Sequence, residues 1–324
     1  MKSTLFLLTL LVFSAYGCDS DYKFEKIPGS NVSGIGEQPH WDSSTQSLYY
    51  VDVENAVLLR YNSQENKVHR CKVENVEFTS FIVPVEGKPN IFAVGCGRDI
   101  NLIEWNGYSE PCTVKETIAT IENLPSDLRF NHGNCDPSGR LFAGTAKYSG
   151  DVYTNTGAAL YKYNNGEMEE VLSDVGIANG LIWDKSRDLF YFNDGLKYNS
   201  MVYDYDIENG EIITSSESVF TKENIEQEED PSYMPDGVTI TSEGYPITTV
   251  YKGGKLLQYN RDGEIVKEFC VPTKTTTSSA FGGEDLEDIY VTSEADGSEN
   301  GGYLFKLSGS GFKGASMSSF KLEM

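Results

Sequence analysis

Residues 188–215 read DLFYFNDGLKYNSMVYDYDIENGEIITS, and this stretch decides the fold class. An aromatic and apolar run opens it at residues 189–193. A polar loop follows, then the alternating run 201–206, then the turn Glu208-Asn209-Gly210-Glu211, then a third short run. Period-two alternation of bulky residues marks strands rather than helices. An Asn-Gly pair suits the tight turn between two antiparallel strands. The stretch therefore reads as three strands. A sheet this small cannot bury both faces alone, so it needs neighbours of its own kind.

Those neighbours are in the chain. The same strand–loop–strand–turn–strand unit begins at Ser47 (SLYYVDVENAVLLRYNSQENKVHRCKV) and at Pro89 (PNIFAVGCGRDINLIEWNG). It begins again at Arg140 (RLFAGTAKYSGDVYTNTGAALYKYNNGEMEEVL), at Gly244 (GYPITTVYKGGKLLQYNRDGEIVKEFCV) and at Glu287 (EDIYVTSEADGSENGGYLFKL). The turns NNGE, ENGE and RDGE fall at the same place in the third, fourth and fifth units. The starts are 42, 51, 48, 56 and 43 residues apart. Such a period with antiparallel strands predicts an all-β, six-bladed β-propeller, in which stacked sheets bury a continuous core around an axis. One domain over residues 18–324 follows, with a sandwich or two-domain arrangement as the alternative.

The first residues read differently. Lys2, the apolar run 5–13 and the small residues Ala15 and Gly17 have the layout of an export signal peptide over residues 1–17. An uncleaved anchor and a lipoprotein signal are the alternatives. The expectation is a secreted protein with no membrane span, since no other apolar run is long enough. Six cysteines without a CxxC pair permit up to three disulfides, or some buried free thiols. Asn31-Val32-Ser33 is a glycosylation sequon at Asn31. The formal charge of −23 opposes binding to nucleic acid or anionic membranes and is compatible with a cation site. The expected partner is a small molecule and the expected state a monomer.

The repeat also aligns polar residues. Each unit should be preceded by the innermost strand of its blade. Glu37, Asn131, Asn179 and Asp236 lie 10, 9, 9 and 8 residues before the first, third, fourth and fifth units. The corresponding places before the second and sixth units hold Ser80 and Ser278 or Ser279. Asn-Gly and Asp-Gly pairs are common turn formers, so each residue alone reads as a turn. Equivalent positions in a propeller converge on the central channel, so their shared phase predicts a site. Carboxylates and amide oxygens are ligands for Ca²⁺, Mg²⁺ or Mn²⁺. No GxSxG, HExxH or P-loop pattern competes with this reading. His40 and His69 read as ordinary packing or surface residues. His132 stands beside Asn131 and is treated separately.

The segments GEQPHWDSSTQSLYYVDVE, RFNHGNCDPSGRLFAGT, GIANGLIWD, PDGVTI and TTTSSAFGGEDLEDIYVTS resemble the regucalcin family. This family is also called senescence marker protein 30 or gluconolactonase-like, and the chain is most similar to its insect luciferin-regenerating-enzyme type. The resemblance covers nearly the whole chain beyond the leader. It implies six blades and one divalent cation (Ca²⁺, or Zn²⁺, Mg²⁺ or Mn²⁺) held by Glu37, Asn179 and Asp236. It implies that Arg129 and Asn131 face the substrate, and that the activity is hydrolysis of sugar-acid lactones or related esters. A divalent ion makes a carbonyl carbon more electrophilic and water easier to deprotonate, and Asp236 can take the proton. Arg129 can hold a substrate oxygen or carboxylate.

Two departures stand out. The family's RxND motif becomes Arg129-Phe130-Asn131-His132, with an imidazole in place of an acid beside the pocket. The segment after Gly144-Thr145 lacks an acidic residue that some members use on substrate hydroxyls. These departures motivate an alternative: a secreted, non-enzymatic binder of calcium or a small ligand on the same scaffold. The export signal is itself unusual for the family.

Overall fold

The computed structural model describes residues 21–150, 152, 157–222, 225 and 232–322. The expected leader, residues 1–17, lies outside them. Six four-stranded antiparallel sheets are arranged as a six-bladed propeller, and the described residues contain no α-helix. In blades one to five the strands run outward in chain order. The innermost strands are Gly36–Asp42, Ile82–Pro84, Leu128–Cys135, Ala178–Asp184, Met234–Ile240 and Thr276–Gly282. The sixth blade departs from chain order. Its outermost strand is Lys23–Lys26, which pairs with Phe305–Ser308 in the register Lys23↔Ser308. Both ends of the described chain thus build one sheet and close the ring.

Local chemistry explains the regular turns. Inner strands one, three and four lead into Asp42, Asp136 and Asp184. Each carboxylate accepts a hydrogen bond 2.9 Å long from the backbone N–H two residues on, at Ser44, Ser138 and Ser186. Such side-chain turns reverse the chain into the second strand. The NNGE, ENGE and RDGE turns join the third and fourth strands of blades three, four and five. Asn165 and Gly166 both have positive φ, as a two-residue hairpin turn requires.

Blades adhere through aromatic side chains. Trp41 of the first inner strand stacks on Tyr290 of the sixth blade, with ring centres 5.4 Å apart. Trp183 packs on Phe142 of the third blade at 5.2 Å. Burying a side chain of this size contributes on the order of 2–3 kcal/mol. Near the rim, Cys71 and Cys112 form a disulfide between the first two blades. Cys270 is also disulfide-bonded, while Cys96 and Cys135 are buried free thiols. Beyond the last strand the chain crosses from blade five, where Gly314 bridges to Thr241, to blade two, where Phe320 bridges to Val85.

Candidate functional site

The expected residues meet where the inner strands lose their register. The ladders skip between Glu37 and His40, Phe130 and Gly133, Ala178 and Leu181, Pro235 and Val238, and Thr276 and Ser279. A bulge frees residues from pairing and re-aims their side chains. Asn131, Asn179 and Asp236 are each the first unpaired residue of a bulge. Glu37 still pairs with Val51, which accounts for its longer offset.

A second regularity confirms the phase. In four blades the side chain at this position donates to a backbone carbonyl of the next inner strand. Ser80 Oγ reaches Phe130 O at 2.6 Å, and Asn131 Nδ2 reaches Ala178 O at 3.1 Å. Asn179 Nδ2 reaches Pro235 O at 2.9 Å, and Thr277 Oγ1 reaches Gly36 O at 2.5 Å. Each acceptor is the residue just before the next blade's own member of the set. The sixth member is therefore Thr277, not Ser278 or Ser279. Its hydroxyl carries no charge and follows no recognisable pair, so it was missed. The two remaining members, Glu37 and Asp236, are carboxylates. An ionised carboxylate has no proton to donate, so the pattern stops at these two.

The Asn-Gly and Asp-Gly pairs are not turns here. Gly180 and Gly237 lie within strands and have no positive φ. A Cβ on Gly180 would sit 2.5 Å from Val238 N, and one on Gly237 would sit 2.1 Å from Ser278 Oγ. Glycine is required because adjacent inner strands approach so closely.

Blade three carries His132 at the second bulge position, and its side chain enters the site. His132 Nε2 lies 3.4 Å from Glu37 Oε1 and 3.2 Å from Asp236 Oδ1. On the other side of the ring, Gln38 Nε2 lies 2.6 Å from His132 Nδ1, and Gln38 Oε1 accepts from Gly133 N–H at 3.0 Å. Gln38 has φ 51°, a left-handed conformation that is costly for a side chain of this kind. Reading the sequence missed Gln38; its one signal was adjacency to Glu37. Gln38 and Gly133 also line a cavity of about 630 Å³ that continues along the inner strands to His40 and Met317.

Charge is concentrated and poorly solvated here. Burial, with Glu37 adding to it, raises the Asp236 carboxyl to about 7. Burial alone would lower the His132 imidazole; Glu37 and Asp236 outweigh it and hold the ring at about 9. Burial lowers Arg129 to about 10. Its Nη1 donates to Phe130 O at 2.7 Å and to Asn131 Oδ1 at 3.2 Å, while its Nε has no partner among the described residues. Asn131 Nδ2 also donates to Asn179 Oδ1 at 2.9 Å. Asn131 therefore ties the guanidinium to the oxygen set. Asn31, six residues before Glu37, is exposed.

The donor set fits a divalent cation. Ligand atoms of Glu37, His132 and Asp236 all lie within 4.8 Å of one another. Both carboxylates are buried and His132 Nε2 is a buried nitrogen without a well-directed hydrogen bond. Asn179 Oδ1 adds a neutral oxygen. Such oxygens, with a nitrogen in reach, match the ligands of hard and borderline divalent ions.

Buried carboxylates and amides thus meet at the inner-strand bulges of a six-bladed ring, which defines a β-propeller with a central polar site. The chain belongs to the family described as "SMP-30/Gluconolactonase/LRE-like region", which matches residues 35–295. Regucalcin of Bos taurus is 30% identical over 307 residues, covering 91% of this chain and 97% of the relative. Pentonolactonase XacC of Haloferax volcanii is 32% identical over 272 residues, covering 83% and 85%. A solved luciferin-regenerating enzyme superposes with a TM-score of 0.84 at 31% identity, over 93% of this chain and all of that one.

Proposed function

We propose that this protein is a metal-dependent hydrolase of lactones or related esters. The observation that carries this reading is the pair of buried carboxylates, Glu37 and Asp236, whose oxygens lie within 4.8 Å of one another, with Asn179 and Arg129 also buried on the inner strands. Glu37, Asp236 and Asn179 would hold one divalent cation, which supplies Lewis acidity when bound. Asp236, held near neutrality, is suited to take a proton from attacking water. Arg129 offers an unpartnered N–H to a substrate oxygen, and Asn131 keeps its guanidinium in place. The pentonolactonase relative and the family's name support a lactone of a sugar acid as substrate.

The test is a panel of aldonolactones and aryl esters assayed after chelation and after adding back Ca²⁺, Mg²⁺, Mn²⁺ or Zn²⁺. Metal-restored lactone hydrolysis, lost in Asp236→Ala, is the expected result. No turnover on any member with metal bound would reject hydrolysis. It would leave the second reading, a non-enzymatic binder of calcium or a small ligand. His132 favours that reading, because its ring nitrogen lies beside both carboxylates where the family motif has an acid.

Export belongs to the same proposal. It is supported by the layout of residues 1–17, the sequon at Asn31 and the Cys71–Cys112 disulfide, since disulfides persist in oxidising compartments. Expression with the leader intact should deliver glycosylated protein beginning at Cys18 to the medium. Retention in the cytosol would reject it.

A further inference from the structure

We propose that the far half of the propeller channel, beneath the C-terminal segment, is a second ligand site, and that it takes an uncharged molecule with an apolar body and a hydroxyl or carbonyl group. This stands independently of the metal-dependent reading above.

The place follows from the direction of the inner strands. Arg129 precedes Asn131, its strand's member of the converging set. The cavity of about 630 Å³ is lined instead by residues that follow the set, among them His40, Ile182, Thr239 and Ser278. It therefore lies on the opposite side of the ring from Arg129. Between the two halves His132 approaches Glu37 and Asp236, so side chains of three alternate blades meet across the axis. The far end is crossed by residues 315–318, which also line the cavity. Gly314 bridges to Thr241 and Phe320 to Val85, in blades that face each other across the ring. Midway along this segment, Met317 Sδ accepts from Trp41 N–H at 3.4 Å.

Three polar side chains on this wall lack partners. His40 is 3% exposed, Thr239 7% and Ser278 2%. Among the described residues, the His40 ring and the hydroxyls of Thr239 and Ser278 make no hydrogen bond. Nearby inner-strand residues do make them. Asn134 Nδ2 donates to Leu181 O at 3.2 Å, and Ser279 Oγ accepts from Thr249 Oγ1 at 3.2 Å. Buried polar groups are normally paired, and leaving one bare is costly. Three around one cavity point to a bound partner.

The lining also names the class of ligand. Ile82, Leu181, Ile182, Val238 and Ile240 supply apolar walls. No charge is left over to meet an ion. Asp184 accepts from Ser186 N–H and pairs with Arg187, and Lys185 is exposed. Burial lowers the His40 ring to about 4, so it is neutral at ordinary pH. An ionised ligand would lose its hydration without compensation. Hydroxyls donate and accept, and a neutral imidazole does both, so a hydroxyl or carbonyl group fits them. The volume is in the usual range of small-molecule sites.

The test titrates metal-chelated protein with 2-naphthol, naphthalene and 2-naphthoate at neutral pH. Calorimetry gives affinity, and tryptophan fluorescence reports on the site, since Trp183 lines the cavity. A single equivalent of 2-naphthol should bind. Naphthalene should bind at least about fivefold more weakly, and 2-naphthoate at least about a hundredfold. Thr239→Val and Ser278→Ala each remove one hydroxyl. In at least one of them the advantage of 2-naphthol over naphthalene should shrink about threefold or more. Met317→Ala should weaken both probes alike. Each ratio is taken within one variant, so a general loss of stability cancels, and either hydroxyl variant serves if the other does not fold. No binding of 2-naphthol would overturn the proposal and leave a water-filled channel. Equal binding of 2-naphthoate would overturn the ligand class. Ratios unchanged in both hydroxyl variants, or affinities unchanged in Met317→Ala, would place the probe elsewhere and overturn the site. Metal is removed and no turnover is measured, so failure of the hydrolase reading is seen separately.

Discussion

Asn131 and Asn179, on adjacent blades, are joined side chain to side chain, with Nδ2 of the first 2.9 Å from Oδ1 of the second. The bond fixes the amide of Asn179, with Oδ1 toward Asn131 and Nδ2 toward Pro235 O, the carbonyl just before Asp236. Asn131→Asp replaces this donor with an oxygen that repels Asn179 Oδ1 and Ala178 O. The expected outcome is a loss of metal affinity of about 10–100-fold, measured by calorimetry. Urea unfolding should show a stability loss of about 1–3 kcal/mol.

Metal binding should depend on pH through Asp236. Its carboxyl is raised to about 7, and only the ionised form ligates. Affinity should therefore fall up to about tenfold per unit below about pH 7, and gain further toward about pH 9 as the His132 ring gives up its charge. Titrations between pH 5 and about 8 check this, and Asp236→Asn should remove the dependence together with most of the affinity.

Gly237→Ala should be strongly destabilising although alanine is small. The new Cβ would lie 2.1 Å from Ser278 Oγ and 2.5 Å from Ser278 Cα, so two inner strands must part. A loss of about 3 kcal/mol is expected from overpacking of this kind. Alanine at Gly29, where a Cβ meets nothing within 4 Å, carries no packing cost and should be far milder. Gly29 has φ 70°, so its own cost is backbone strain of about 1 kcal/mol.

His40 gives stability its own pH dependence. Burial lowers the ring to about 4, with Asp42 opposing. The unfolded chain binds this proton first, so the contribution is complete above about pH 6.5 and is lost as pH falls to about 4. A difference of this size corresponds to about 3 kcal/mol. Unfolding free energies measured across that window should flatten in His40→Gln.

Much of the fold was legible because strands and hairpins leave local marks. Alternating aromatics and the NNGE, ENGE and RDGE turns mark three of the six units by themselves. Lys23–Lys26 was not legible. It is four residues long, carries two lysines and a glutamate, and becomes a strand only because Phe305–Ser308 offers an open edge. The site divides the same way. Glu37, Asn179 and Asp236 were legible from phase, since repeat geometry forces convergence. The contact of His132 with both carboxylates depends on the depth of a bulge, which no residue spacing encodes. Gln38 bonds to His132 and Gly133 on the next inner strand but one, and nothing local marks such a partner. The Cys71–Cys112 pairing was one of many that six cysteines allow.

The shared sixth blade bears on how the chain matures. Lys23–Lys26 is the first of the described strands to be made, yet its partner, Phe305–Ser308, is the last of them. Until then the sixth sheet has no outer edge and the first blade lacks one flank, so Trp41 waits for Tyr290. Blades two to five can assemble on neighbours already made. Ring closure, and with it the convergence of Glu37 on Asp236, must wait for Phe305–Ser308. A nascent chain of this protein therefore keeps its ring open until Phe305–Ser308 is made.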